Sequence, residues 1–505
     1  MARYKHTDAA SGQGLFMSIK LKEQLIPGTF EHMLDRIIGT KVDISAFDRK
    51  YKNDLTGASA IPPSALLKLV IYGYSKGCNS SRKLSELNEN NIIAKALTSD
   101  MRIHWTTIGD FVSQNSKEIK EVFVKALVYC NELGLIGGET YAIDGYRLPS
   151  NASTEMSGTE KQLQRRLETY RKMAEKHLLK HRRKDAGKEK TEEEAARIKK
   201  RQGRLNRQIE NISNFLEKME KKKGQDGREI KSNVTDNESA MIYSSKGYMQ
   251  GYIGLAISDK KNQIITSAQA AGSASEGGHL PSMLEGHEEN LKQAGLEREG
   301  EGNKKTLLGD SNYFSEDNLR ACRARRIQAI IPDGNEKKEL GPDGSKRYEA
   351  SDFTYNEEED YYGCPNGKRL NYKYKTKLSR NREGKRYQAG VLDCRACPVF
   401  KQCMRGNKKQ NEIKKGRILI ITKSNEPGSL CRRMREKMTT PEYQEEYAYR
   451  IQIVEPVFAN IGYNKGLNRF TLRTQDKVNG QWLLYCLVHN LGKCLKGHNL
   501  KMGFA

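Results

Sequence analysis

No stretch of this 505-residue chain approaches the roughly 18 consecutive apolar residues of a membrane-spanning helix, so a helical membrane protein is not expected. The opening MARYKHTDAASGQGLF has no apolar run of the secretory kind, and a cytoplasmic protein is therefore expected. Cysteine is sparse, at 10 residues, which excludes a disulfide framework in a chain of this length. In a reducing compartment clustered cysteines point to metal and scattered ones to core filling. Cys78, Cys130, Cys322, Cys431, Cys486 and Cys494 are scattered and receive no role. Acidic residues are also in deficit, 63 against 88 Lys+Arg, which leaves a net charge of +25.

That charge is unevenly placed. Residues 156–231 hold 24 basic against 13 acidic residues, and residues 364–437 hold 22 against 5. The rest of the chain is slightly acidic, so the basicity reads as two footprints on a polyanion, with double-stranded DNA the leading partner. The length predicts several domains, or one large domain with inserts.

Three acids follow short apolar runs: Asp144 after Tyr141-Ala142-Ile143, Asp310 after Thr306-Leu307-Leu308-Gly309, and Glu455 after Ile451-Gln452-Ile453-Val454. Each run predicts a strand that ends at the acid. Carboxylates held on rigid elements can converge into a cage for hard divalent cations, the usual chemistry for breaking and joining phosphodiesters. Asp144 would bridge two ions, with Asp310 and Glu455 each completing one side. Glu442, Glu445 and Glu446 lack an apolar lead-in and sit on a polar, helical stretch.

Residues 1–130 predict a helical module of the helix-turn-helix type, or a bundle that merely packs. Pro62 and Pro63 mark a first turn ahead of SALLKLVIYGYSKG, Gly77 stops it, Ser80 or Ser81 can cap the next helix, and Thr106 or Thr107 the one after. Arg82 and Lys83 near a helix start are candidate phosphate contacts, although a solvated face explains them equally. Residues 156–231 carry apolar positions in steps of 3 and 4, from Leu163 to Ala174 and from Ile198 to Met219, with a turn around Gly187. An antiparallel helical hairpin follows, either a DNA clamp or a packing arm. Residues 131–155 and 232–335 predict a mixed sheet: a strand with Asp144, consecutive antiparallel strands joined at Asp259-Lys260-Lys261-Asn262, a helix, and strands at Asp310 and RRIQAII. The fold class is α/β, an RNase H-like mixed sheet with helices on both faces.

The motifs IDGYRLPSNAS, SNVTDNESAMIYSSKGYMQGYIGLAISD, GDSNYFSEDNL and YAYRIQIVEPVF resemble those of bacterial insertion-sequence transposases of the DDE type. The nearest group is the one numbered eleven eighty-two, whose DNA-binding front end is similar to SALLKLVIYGYSKGCNSSRKLSEL and HWTTIGDFV. The resemblance implies that Asp144, Asp310 and Glu455 bind two Mg²⁺ or Mn²⁺ ions. It implies that Tyr447 and Arg450 belong to the signature around the last acid, with Lys465 nearest to the position, close to Gly462, where the family carries a lysine. It further implies a bacterial, nucleoid-associated protein working as a homodimer or higher synaptic oligomer.

The insert at 336–440 holds Cys364, Cys394, Cys397 and Cys403, four thiolates that could complete a structural Zn²⁺ site. Tyr372, Tyr374 and Tyr387 interleave there with Lys373, Lys375, Arg380, Arg382, Lys385 and Arg386, offering stacking faces among phosphate partners. Residues 441–505 are expected to return to the catalytic core, with Trp482, Leu483, Leu487, Leu491 and Leu495 packing a last helix on the sheet and His489 a satisfied core residue. Arg469 and Arg473, ahead of that helix, could face DNA. The expected activity is cleavage at the element's inverted repeats and joining of the 3′ ends to target DNA. A metal-dependent nuclease that does not join, or an inactive DNA-binding derivative, remains the alternative.

Overall fold

The computed structural model describes residues 19–51, 59–185, 192–224, 227–244, 247–296, 305–334, 347–378, 383–404 and 409–503. At the N-terminal end α1 (Phe30–Thr40) precedes α2 (Pro63–Ser75). Proline at the first helical position costs no hydrogen bond, and Gly77, at φ +78°, turns the chain after the end of α2. Ser80 caps α3 (Ser81–Asn90) by accepting from the Lys83 amide, as its position predicts. After α4 (Ile92–Thr98) come two helices, α5 (Trp105–Gln114) and α6 (Ser116–Glu132). The break falls at Asn115, whose side chain donates to the Phe111 carbonyl, and the cap of α5 is His104 rather than a threonine.

Strand β1 (Thr140–Pro149) leads into the helical hairpin, α7 (Glu160–Asp185) and α8 (Glu192–Lys218). The predicted stripe closes it: Leu163, Leu167 and Ile212 are buried together, with Tyr170, Ile209, Leu216 and Met219 against them. The turn around Gly187 lies outside the described residues.

The main sheet continues with β2 (Ala240–Ser244), β3 (Gly247–Asp259), β4 (Ile265–Ala271), then α9 (Leu280–Gln293), β5 (Lys305–Leu308), α10 (Glu316–Ala324) and β6 (Ile327–Ile330). Its order is β2-β3-β1-β5-β6, with β4 also on β3. The pairs β3–β1, β3–β2 and β3–β4 are antiparallel, and β1–β5 and β5–β6 parallel. Side-chain alternation along β3 separates two cores: Ile253, Leu255 and Ile257 face one, and Tyr252 and Ala256 the other.

Between β6 and the C-terminal helices stands a second sheet that the sequence reading did not anticipate. It is antiparallel, order β11-β10-β9-β8-β7, from β7 (Thr354–Asn356), β8 (Tyr361–Gly363), β9 (Arg369–Lys377), β10 (Glu383–Ala389) and β11 (Ile418–Thr422). Tyr387 is not a stacking face. It is buried against Tyr355 and Tyr362, its hydroxyl 2.6 Å from Asp360 Oδ1, whereas Tyr372 and Tyr374 are exposed. Arg380 and Arg382 lie outside the described residues.

The chain returns through α11 (Leu430–Met438), α12 (Pro441–Ala459) and α13 (Gln475–Met502). As its spacing predicts, α13 packs on the sheet: Trp482 is fully buried, its Nε1 donates to the Leu255 carbonyl at 2.9 Å, and Gly254 leaves room for the ring. The same helix packs on α6 and α2, so one hydrophobic core runs from Leu25 to Cys494. His489 is a satisfied core residue, bonded to Asn460 and to the Gln263 carbonyl.

Candidate active site

Parallel pairing places Ala142 of β1 opposite Leu308 of β5. Asp144 lies two residues further along β1 and Asp310 two residues past the end of β5, near enough for the Asp310 charge to act on Asp144. Of the three predicted strand ends only Asp310 has one. Asp144 is mid-strand, and Glu455 lies within α12.

Each aspartate is held in place. The Gly145 amide donates to Asp144 Oδ1 at 2.8 Å, and Arg450 Nη2 donates to Oδ2 at 2.6 Å. Asp310 caps the short helical turn after β5, accepting from the Asn312 amide at 3.0 Å and from its side chain at 2.8 Å. Burial raises the Asp144 pKa, the Arg450 guanidinium opposes it, and the neighbouring Asp310 charge adds to the rise. Tyr447, one turn before Arg450 on α12, has its phenol raised by burial, with contributions from both aspartates.

Glu455 does not join them. It lies five residues past Arg450, about 140° around a helix of 3.6 residues per turn, and is exposed. Val454, only about 40° from Arg450 on that geometry, is the buried neighbour.

The sequence reading missed Glu276, in the loop between β4 and α9. It is 3% exposed, and its Oε1 accepts from Arg147 Nη2 at 2.6 Å. Its pKa is raised to about 7, by burial first and by the charges of Asp144 and Asp310 further down, against the bond from Arg147. Tyr313, fully buried, has its phenol raised by burial and by the charges of Glu276, Asp144 and Asp310. The loop SASEGGHLPS carries no signature that singles out this acid; only its place between a strand and a helix of a mixed sheet hints at it.

The other predicted residues lie apart. Arg469 and Arg473 are exposed, with their Nε atoms tied at 3.0 Å to the Ser150 and Asn151 carbonyls just after β1. Lys465 is buried, its pKa lowered by burial and by Lys493. At the N-terminal domain Arg82 and Lys83 are exposed, and the Arg82 guanidinium lies 4.9 Å from the centre of the Trp105 ring.

In the second sheet, Cys364, Cys394, Cys397 and Cys403 gather closely enough for their charges to act on one another. Amides of Lys368 and Arg417 donate to the sulfurs of Cys364 and Cys394. Even so, among the described residues no three His, Cys, Asp or Glu side chains are grouped as an ion would require, so the structure does not support the expected zinc site. At the aspartates, Asp144 Oδ2 is engaged by Arg450 and both Asp310 oxygens by Asn312.

Residues 363–495, which include Tyr447, Arg450 and Glu455, match the family model described as Transposase DDE domain. Residues 20–114 match the one described as Transposase domain (DUF772). Together the two matches support an insertion-sequence transposase. The first family implies DNA strand chemistry with divalent metal, and both imply DNA as the partner. No curated protein matches the chain. Among the described residues no helix is long and apolar enough to cross a membrane.

Proposed function

We propose that the chain is a DDE transposase of the group numbered eleven eighty-two, which binds the inverted repeats of its element, cuts at the ends and joins the 3′ ends to target DNA. The observation that carries this reading is the placement of Asp144 on β1 and of Asp310 just past the end of its parallel neighbour β5, with Arg450 bonded to Asp144. The strand order, with β3 and β4 antiparallel on one side of β1 and β5 and β6 parallel on the other, supports an RNase H-like core.

The donors suit a hard cation. Asp144 and Asp310 are oxygen ligands on rigid backbone, and their mutual repulsion, which contributes to the raised Asp144 pKa, is relieved by added positive charge. Bound there, two Mg²⁺ or Mn²⁺ ions would activate the attacking water or 3′-hydroxyl and stabilise the leaving oxygen. The protein's own part is positioning. Arg450 is 13% exposed, and a fixed guanidinium beside the aspartates can hold a non-bridging phosphate oxygen in place of the carboxylate it now binds. Tyr447 presents a protonated phenol beside it. Glu455 is the third acid of the resemblance, and from the outer face of α12 it reaches the aspartates only if that helix turns.

Arg469 and Arg473, fixed to the backbone just beyond β1, and Arg82 and Lys83 on α3 are assigned to the DNA backbone. The basic hairpin is assigned to the same partner. Two copies on paired element ends are the minimal synapse. In a strand-transfer assay with repeat-ended DNA, Asp144→Asn and Asp310→Asn should each lose cutting and joining while still shifting the DNA in a gel. Retention of joining by either variant overturns the reading. Cutting without joining by the unaltered protein would identify the nuclease instead.

A further inference from the structure

The basic side chains of α10, α11 and the turn before β6 fall into two sets. Arg320, Arg325, Arg432 and Arg435 each hold a carboxylate, of Glu316, Glu288, Glu436 and Asp333 in turn, at 2.6 to 3.9 Å. Arg323, Arg326, Arg433 and Lys437 are exposed and hold none among the described residues. These four line one cavity of about 360 Å³, whose ten lining residues include no acid. Its floor is apolar, with Leu319 of α10, Ile327 of β6 and Met434 of α11. Among the described residues β6 is the last strand of its sheet, so the floor runs along an unpaired edge.

Charge gathered in this way works against the fold. Arg433 and Lys437 are four residues apart on α11, where like charges face and repel each other. Arg326 sits at φ +56°, in the left-handed region that favours glycine. Cations over a low-dielectric floor focus a positive potential, which a seated anion neutralises. The hollow also continues. Arg433 lines a second cavity, of about 390 Å³, that reaches Thr354 and Tyr355 on β7, the edge strand of the second sheet. The one acid there, Glu436, is already paired with Arg432. The two cavities thus form a track between the edges of two sheets, which suits an extended polyanion better than a compact one. Ile327 pairs with Lys305, at the end of β5 away from Asp310, so the track lies apart from the aspartates.

We infer that this track is a further DNA-binding site, taking the phosphodiester backbone of a DNA flank between Arg323 and Arg326 on the α10 side and Arg433 and Lys437 on the α11 side. Sugar faces meet the apolar floor and phosphates the cations. Such contacts fix position rather than sequence. The inference rests on the proposed function only in taking DNA as the partner.

The test titrates the full-length protein onto labelled duplex and single-stranded DNA over a range of salt, read by fluorescence anisotropy. Each phosphate contact contributes about 0.9 to the slope of log K against log salt on duplex and about 0.7 on a single strand. Arg323→Gln, Arg326→Gly, Arg433→Gln and Lys437→Gln combined should lower the duplex slope by about 3 to 4, equally on repeat-ended and unrelated sequences. A fall confined to single-stranded DNA, of about 3, assigns the track to an unpaired strand. Arg326→Gly alone should lower the slope by about 1 without loss of stability, because glycine accepts that backbone, so unfolding does not account for the change. Arg320→Gln, outside the track, should leave the slope as it is. A wild-type slope in the fourfold variant overturns the inference. If that variant instead self-associates at a wild-type slope, the cations guard the sheet edge against pairing and the inference fails likewise. In either case loss of cutting by Asp144→Asn leaves the transposase reading standing, whereas no DNA binding by the unaltered protein refutes both.

Discussion

Replacing Glu276 with glutamine should flatten the pH dependence of stability in the metal-free protein. The carboxyl rises from its ordinary 4.5 to about 7 in the folded chain, and at ~1.36 kcal/mol for each tenfold that is about 3 kcal/mol. At 3% exposure there is little solvent to screen it. A raised carboxyl pKa means that the folded state keeps a proton the unfolded state has released. The contribution is therefore fully present below about pH 4.5 and is lost as pH rises through about 7. Glutamine has the same shape, keeps an oxygen for Arg147 and never ionises, so it escapes the loss. Urea unfolding in the presence of a chelator, at pH 5 and pH 8, measures both proteins. The unaltered chain should lose about 2.5 kcal/mol more than Glu276→Gln across that interval, the remainder having gone by pH 5. Asp144, whose pKa is also raised, shifts the baseline of both proteins in the same direction. Parallel pH profiles would refute the reasoning, because they would mean that Glu276 ionises as freely in the fold as out of it.

Three further outcomes follow from packing. Gly145→Ala places a methyl 2.6 Å from Glu276 Oε2 and 2.7 Å from Ile253 Cγ2, and should cost about 1–3 kcal/mol in chemical denaturation; an unchanged midpoint would show that the loop yields freely. Trp482→Ala removes a fully buried ring and its bond to the Leu255 carbonyl, and should cost about 3–5 kcal/mol, read as a shift in urea midpoint; a loss under about 1 kcal/mol would contradict the packing described. Asn318→Ala unties the Glu276 and Asp310 loops at a cost of about 1–3 kcal/mol and should weaken Mn²⁺ binding in titration, whereas Arg320→Ala, an exposed change on the same helix, should do neither.

What could be read beforehand divides along local and non-local physics. Pro63, Ser80 and the alternating stripe from Leu163 to Met219 act within a few residues of themselves, and the helices they predict are present. Asp144 and Asp310 were legible as chemistry although only one is at a strand end. Ile451-Gln452-Ile453-Val454 alternates like a strand for four residues, but the longer pattern decides: Pro441 opens a helix, and Tyr443, Tyr447, Arg450 and Val454 fall on one side of it. The strands β9 and β10 were hidden by their lysines and arginines, which read as a solvated loop. The period-two run Leu370-Asn371-Tyr372-Lys373-Tyr374 was the available signal. Glu276 had none of comparable strength. Its neighbours are created by the Ala142–Leu308 register and by Asn318, contacts between distant stretches of chain.

The burial of α13 against both the sheet and the N-terminal helices makes the two regions one folding unit. Trp482, Leu484, Val488 and Leu491 share their core with Leu66, Leu69, Ile119 and Phe123, so α13 supplies part of the interior of the helices around α2 and α6. Without the stretch from Trp482 onward, the N-terminal helices would present an open hydrophobic face to solvent.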